Sequence, residues 1–182
     1  MQPNSPYSAS KASSDHLVRA WNKTYNFPSI ITHCSNNYGP FQHSEKLIPL
    51  VIKNCIEEKS LPIYGTGKNV RDWIYVDDHV EGLIAVAKNG TIGNVYNMGG
   101  NTELSNLELV KKICTIMDQL KPRSNKRKYS QLMEFVQDRL GHDFRYSINN
   151  HYISSSLGWS PKTSLDNGLE KTITFFLEKF AK

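Results

Sequence analysis

The sequence predicts an α/β fold, and three observations carry that prediction. Short β-branched runs alternate with longer stretches whose apolar residues recur at helical spacing, the pattern of strands joined by helices. Apolar residues make up 38% of the 182 residues and aromatic residues 10%, enough for a real core. No internal repeat or low-complexity segment breaks the alternation.

Taken in order, the first helix is expected from about residue 6 to 25, with Pro6 suited to the first helical position. Tyr7, Lys11, Ser14, Val18, Trp21 and Tyr25 fall on one stripe of it. Asn26-Phe27-Pro28 ends the helix, and residues 29–34 read as a buried strand. Ser35-Asn36-Asn37-Tyr38-Gly39-Pro40 then reads as a polar turn at that strand's C-terminal end, where open α/β sheets bind ligands. A second helix is expected over 46–58, turning Leu47, Ile48, Leu50, Val51 and Cys55 inward. Residues 61–64 and 70–76 read as strands joined in a hairpin by Gly65-Thr66-Gly67-Lys68. Gly65-x-Gly67 lacks a third glycine and a following helix, so it is not a nucleotide-binding fingerprint.

Asp77 or Asp78 is expected to cap a helix reaching about Lys88, with Val80, Leu83, Ile84 and Ala87 as its apolar residues. Residues 94–98 form a further strand, closed by Gly99-Gly100. Ser105 and Glu108 have the spacing of a capping box, opening a helix with Leu109, Ile113, Ile116 and Leu120 on one side. A strand over 132–136 and a short helix over 151–157 follow. The last helix runs to about Phe180 and buries Leu169, Ile173, Phe176, Leu177 and Phe180.

The net charge is +5, and Lys121, Arg123, Lys126, Arg127 and Lys128 supply much of it. That run holds Pro122 and Ser124-Asn125, with no aromatic residue among its cations for base stacking. A solvated loop explains it better than a nucleic-acid patch, so no nucleic-acid partner is expected. No stretch approaches the roughly 20 apolar residues of a membrane span. Met1 leads straight into polar residues, so neither a membrane partner nor a signal peptide is expected. Cys34, Cys55 and Cys114 are odd in number, widely spaced and set among apolar neighbours. They are expected to be buried, reduced thiols of a cytoplasmic protein, with no disulfide framework and no metal site.

Tyr7 and Lys11 stand four apart at the start of the first helix, so a phenol and an ammonium share one face. The ammonium favours the phenolate, and a tyrosine tuned this way can serve as a general base on a sugar or alcohol hydroxyl. Alone, the spacing also fits an ordinary surface pair. A free-standing dinucleotide fold begins with a strand, a glycine-rich turn and a helix. None of these opens the sequence, so residues 1–182 are expected to form one incomplete unit.

The wider set of motifs is more specific. Pro6-Tyr7-Ser8-Ala9-Ser10-Lys11-Ala12, Ser35-Asn36-Asn37-Tyr38-Gly39-Pro40, Glu45-Lys46-Leu47-Ile48-Pro49, Pro62-Ile63-Tyr64-Gly65 and Arg71-Asp72-Trp73 occur in that order. Tyr75-Val76-Asp77-Asp78-His79, Tyr96-Asn97-Met98-Gly99-Gly100 and Asp138-Arg139-Leu140-Gly141-His142-Asp143 follow. Over essentially all 182 residues the series resembles the C-terminal half of the dTDP-glucose 4,6-dehydratases, of the extended short-chain dehydrogenase/reductase superfamily.

The resemblance implies the C-terminal part of a Rossmann-like doubly wound parallel sheet, plus a smaller mixed α/β region that binds a nucleotide sugar. Residues of about 1–60 and 77–98 would belong to the first, and about 61–76 and 99–182 mainly to the second. The N-terminal dinucleotide-binding half would be absent. NAD is the implied cofactor and dTDP-glucose the implied substrate, converted to its 4-keto-6-deoxy form. Tyr7 is implied to take the proton of the 4-hydroxyl, with Lys11 holding the nicotinamide ribose and lowering the tyrosine pKa. Asn37 matches a further NAD contact. Asn36, Lys46, Leu47, Pro62, Ile63, Tyr64, Arg71, Asn106, Asp138, Arg139 and His142 match positions that hold the nucleotide sugar.

These roles suit the residue types. Arg71 and Arg139 offer planar donors to phosphate oxygens, and Lys46 adds a point charge. Tyr64 can flank the base, and Asn106 sits at a helix N-terminus whose N–H groups favour an anion. In an unfamiliar chain Arg71 would instead pair with Asp72 or Asp77, and Arg139 with Asp138 or Asp143. Leu140 departs from the proline expected in many relatives. The larger departure is that these residues hold neither a G-x-x-G-x-x-G turn for the NAD pyrophosphate nor the Thr-Asp-Glu triplet that drives water elimination. The chain is therefore expected to be inactive alone and to need an N-terminal half. A non-catalytic remnant with partial sugar-nucleotide binding, and a related epimerase or decarboxylase, are the alternatives. The family is homodimeric through the tyrosine helix and its upstream neighbour, and with half of that bundle missing a native dimer is not expected.

Overall fold

The computed structural model describes residues 5–138 and 141–180. Its elements are α1 (Pro6–Tyr25), β1 (Ile31–Cys34), β2 (Asn36–Tyr38), α2 (Leu47–Ile56), β3 (Leu61–Tyr64), β4 (Val70–Tyr75), α3 (Val76–Asn89) and β5 (Val95–Met98). Then come β6 (Glu103–Ser105), α4 (Asn106–Leu120), a single 3-10 turn (Tyr129–Leu132), β7 (Met133–Val136), β8 (Arg145–Tyr146), α5 (His151–Leu157) and α6 (Leu165–Phe180). The α/β class and every expected helix are present.

Ser5 caps α1 by accepting the Ser8 N–H, Pro6 occupies the first turn, and Asn26 closes the helix in the left-handed conformation. No residue of α1 is buried. Its less exposed side carries Ser8, Ala9, Ala12, Asp15, Val18 and Asn22, whereas Tyr7, Lys11, Ser14, Trp21 and Tyr25 are exposed. The expected stripe is therefore offset by about one residue. The helix turns its small side chains inward, and the larger rings stay outside.

Two parallel pairs flank a central strand. β1 pairs with β5, Ile31 opposite Val95, and among the described residues that is its one neighbour. β3 pairs with β7, Leu61 opposite Met133. β4 is the hub: its C-terminal half runs parallel to β2, and its first residues meet antiparallel β6 and parallel β8. Two expectations fail here. Asn36 to Tyr38 form a strand rather than a turn, because Trp73 to Tyr75 supply a partner edge. The turn after Tyr64 does form, with Gly65 and Gly67 at positive φ, but it joins strands of different sheets and makes no hairpin. A chemically suitable turn does not decide where the next strand finds its ladder.

The larger core packs α2, α4 and α6 over β3 and the Trp73 and Tyr75 side of β4, with Ile48, Ile52, Leu109, Ile113, Leu169 and Phe176 fully enclosed. Ile74 faces the other way, into a smaller core with Val86, Tyr96, Met98, Ile153 and Trp159. On α3 the expected apolar residues are the wrong ones. Gly82 and Val86 are buried, while Val80, Leu83 and Ile84 are exposed. Gly82 is the reason: a Cβ there would lie 2.6 Å from the Met98 sulfur and 3.0 Å from the Trp159 ring, so the glycine lets the helix seat itself on both. Tyr75 takes the N-cap position of α3, without a side-chain bond; Asp77 and Asp78 lie in the first turn, and Asp78 accepts the Thr163 N–H instead.

The basic run after α4 is partly clasped. Arg123 donates to Glu58 at 2.8 Å and lies over the Tyr129 ring, and Lys128 is 3.6 Å from Asp118. The three cysteines are free; Cys55 and Cys114 are buried, but Cys34 is half-exposed because β1 is an edge strand. Among the described residues no helix is long and apolar enough to cross a membrane.

Candidate active site

Tyr7 and Lys11 stand in the first two turns of α1, and the charge of Lys11 reaches Cys34 at the C-terminal end of β1. Tyr7 is 74% exposed on the first turn, and Lys11 follows it one turn later on the same face. Burial pushes the Cys34 thiol up, and the Asn37 amide and the Lys11 ammonium pull it partly back. The Asn37 Nδ2–H donates to Cys34 Sγ at 3.2 Å and to the Ser35 carbonyl at 3.3 Å. Tyr146 of β8 donates its hydroxyl to the Cys34 carbonyl at 3.2 Å. Burial pushes the Tyr146 phenol up, and the neighbouring Cys34, Tyr7 and Asp72 add to the shift. Cys34, Asn37 and Tyr146 thus form one hydrogen-bonded group, and Lys11 and Tyr7 lie within electrostatic reach of it.

The Gln42 amide donates to the Asn37 carbonyl at 2.9 Å. The buried Asn37 Oδ1 and Gln42 Oε1 have no hydrogen-bond partner among the described residues. Buried acceptors of this kind are costly unless something donates to them. They suit a ligand rich in N–H and O–H groups.

The second group of expected residues is distributed over β2, β3, β4, the N-termini of α2 and α4, and the residues before β8. Pro62 and Tyr64 are half-buried, but Ile63 is a core residue, so only its backbone can face a ligand. Leu47 likewise packs on the larger core, while Lys46 is exposed at the N-cap of α2. Asn36 sits on β2 opposite Trp73. Gly65 brings Asp138 close: a Cβ there would lie 2.8 Å from the Asp138 carboxylate. Asp138 accepts from His142 at 2.7 Å. Arg139 and Leu140 lie outside the described residues, so the expected phosphate role of Arg139 has no structural account.

Two expectations about charge change. Arg71 donates to the backbone carbonyls of Val70, at 2.7 Å, and Asp143, at 2.8 Å, and so ties β4 to the residues just before β8. Asp72 is taken up by the Gly100 and Thr102 N–H groups instead. The N-terminus of α4 is no open anion cradle either. Asn106 and Leu107 donate their N–H groups to the carbonyls of Asn69 and Gly67, and Glu108 donates to its Ser105 cap. The side chain of Asn106 remains as its route to a ligand.

Sequence reasoning missed Tyr146, Gln42 and Asn69. Asn69 is buried and holds the Asp143 carbonyl at 3.2 Å. The one available signal was their position, two or three residues from motifs already singled out. A polar groove of 720 Å³ lies nearby, lined by Asp72, Asn101, Glu103, Arg145 and residues 147–150, but none of the expected site residues borders it. Arg145 faces it by strand alternation from Tyr146 and is held in a bidentate pair with Glu103.

Comparison with known proteins supplies context for this arrangement. The family model described as GDP-mannose 4,6 dehydratase matches residues 1–172. The dTDP-glucose 4,6-dehydratase of Neisseria meningitidis is 50% identical over 178 residues, which is 97% of this chain and 50% of that protein. The crystal structure of the Bacillus anthracis dTDP-glucose 4,6-dehydratase in complex with NAD superimposes with a TM-score of 0.89 at 44% identity, covering 100% of this chain and 55% of that one. The Streptomyces venezuelae enzyme of the same name, also with NAD bound, gives 0.90 at 42% identity, covering 100% of this chain and 53% of that one. The chain spans about half the length of the curated relatives it matches.

Proposed function

The chain belongs to the GDP-mannose 4,6-dehydratase family, and from that premise we propose that its 182 residues supply the base and the sugar-nucleotide wall of a dTDP-glucose 4,6-dehydratase. The proposal is carried by the hydrogen-bonded group of Cys34, Asn37 and Tyr146 at the C-terminal end of β1, within the electrostatic reach of Lys11 and Tyr7. An exposed phenol beside an ammonium is placed to take a proton from a sugar hydroxyl. Lys11 offers donors to a ribose hydroxyl. NAD would supply the hydride chemistry at this site. Tyr7, Lys11 and Asn37 would hold its nicotinamide end, and the unpartnered Asn37 Oδ1 fits a cofactor that brings a donor.

The wall facing the sugar nucleotide is proposed to comprise Asn36, Lys46, Pro62, Tyr64, Asn106, Asp138, Arg139 and His142, with Leu47 and Ile63 contributing through their backbone. Arg71 enters it as a donor to the Asp143 carbonyl beside that wall. The Rossmann-side and substrate-side regions are proposed as residues 1–60 with 77–98, and 61–76 with 99–182.

Catalysis needs more than this chain. The open edge of β1 and the exposed apolar residues of α1 and α3 support a sheet that continues into a further half bearing the pyrophosphate turn and the Thr-Asp-Glu triplet. Three free thiols suit the reducing cytoplasm. The test is to incubate the 182-residue chain with dTDP-glucose and NAD+, assay for the 4-keto product, and titrate with dTDP. Saturable dTDP binding without turnover is expected. Turnover would overturn the need for a second half, and no binding at millimolar dTDP would overturn the sugar-nucleotide wall.

A further inference from the structure

The helix that carries Tyr7 and Lys11 is weakly held. None of its residues is buried, so little apolar packing fixes it against the sheet. Its own polar bonds are mostly local: Ser10 to the Tyr7 carbonyl, Ser13 to the Ala9 carbonyl, and Asn22 to the Phe27 carbonyl just beyond its end. Among the described residues, one side-chain hydrogen bond crosses from α1 to the β1–β5 sheet. The His33 Nε2–H on β1 donates to Asp15 Oδ2 at 2.8 Å. On its other side the His33 ring meets Asn97 of β5, Nδ1 to Oδ1, at 3.2 Å.

The register of this bridge matters. Tyr7, Lys11 and Asp15 are spaced by four residues, so each stands one turn, about 6 Å, along the helix from the last. His33 immediately precedes Cys34, whose thiol feels Lys11 and whose carbonyl takes the Tyr146 hydroxyl. The bridge therefore ties the helix to the sheet two turns from the proposed base and next to the strand end that the base must face. Both partners are half-buried, with side chains 28% and 27% exposed, which limits competition from water. Asn97 of the neighbouring strand stands against the far side of the ring, so the histidine is packed between two elements.

We infer that His33 is a positioning residue that sets the helix bearing Tyr7 and Lys11 against the end of β1 by gripping Asp15. The inference rests on the reading of Tyr7 as the base, and deepens it. His33 touches no reacting atom in this scheme; it acts through the placement of α1.

Hydrogen–deuterium exchange on the 182-residue chain tests it, with the variants His33→Leu, His33→Gln and Asp15→Asn. Loss of the bond in His33→Leu should speed amide exchange over residues 9–18 by about tenfold, the scale of one charge-assisted hydrogen bond, with α4 and α6 unchanged. His33→Gln keeps an N–H at the reach of Nε2 and should recover most of the protection. Asp15→Asn lies on the helix surface, leaves the strand intact, and should give an intermediate acceleration. Unchanged exchange in both His33→Leu and Asp15→Asn would overturn the inference. So would His33→Gln behaving no better than His33→Leu. Titration of the same variants with dTDP separates this from the underlying reading. Absent dTDP binding would remove the sugar-nucleotide site, while the exchange data would still decide whether His33 holds the helix.

Discussion

Cys34 is the residue through which the candidate site is most easily probed. It is the half-exposed member of the three thiols, so alkylation of the native chain followed by mass spectrometry should label Cys34 and spare Cys55 and Cys114. Burial holds its thiol up and Lys11 draws it down, so less thiolate is present at neutral pH than for a free cysteine. Lys11→Met should raise the thiol further and slow alkylation, measured as the pH dependence of the rate. An unchanged rate would mean that Lys11 does not reach the end of β1. Glycines give the sharpest steric test. A Cβ on Gly100 would fall inside the Trp73 carbonyl, with no flexible side chain to yield. Gly100→Ala should cost about 3 kcal/mol by urea denaturation, because β4 itself would have to move. The sequence showed this glycine only as the end of a strand. What made it indispensable was a partner many residues away.

At the scale of elements, the caps and the loop clasp carry measurable stability. Ser105→Ala removes the acceptor for the Glu108 N–H at the start of α4 and should cost about 1 kcal/mol. Glu103 accepts a bidentate pair from Arg145 and a bond from Ser147, and these hold its carboxyl below the usual range. A depressed carboxyl stabilises the fold above its unfolded pKa, and that contribution is lost as pH falls through the lower folded value. The clasp between β6 and β8 should therefore loosen on acidification, seen as faster exchange in residues 143–147, and Glu103→Gln should remove that pH dependence. The capping box was legible because its two residues are three apart and act on each other. The inner face of α3 was not legible. Periodicity marked Val80, Leu83 and Ile84, but the helix turned its glycine to Trp159, a ring that arrives only near the end of the chain. Strand β8 was hidden for a related reason: two residues show no alternation, and Val70 and Arg71 alone define their ladder. The Tyr7–Lys11 pair could be read from spacing, whereas Tyr146, within electrostatic reach of Tyr7, could not.

The molecule as a whole is lopsided. The larger core is closed by three helices, but the smaller sheet ends at β1, with Leu17, Trp21 and Tyr25 exposed on one side and Val80, Leu83 and Ile84 on another. Such surfaces invite association. The isolated chain should bind a hydrophobic dye and self-associate with rising concentration, by fluorescence and light scattering. The double substitution Trp21→Glu and Leu83→Lys should reduce both without lowering the melting temperature, since neither side chain is buried.

The strand pairings also set the order in which this chain can fold. Ile31 waits for Val95, Leu61 for Met133, and Val70 for Arg145, so among the described residues no ladder closes between strands joined by a short turn. Contacts this distant in sequence make for slow folding, because the loops must be closed before any pairing rewards them. During synthesis β4 acquires its last neighbour only when residue 146 has left the ribosome. Until then its unpaired edge is the point at which a nascent chain would go astray.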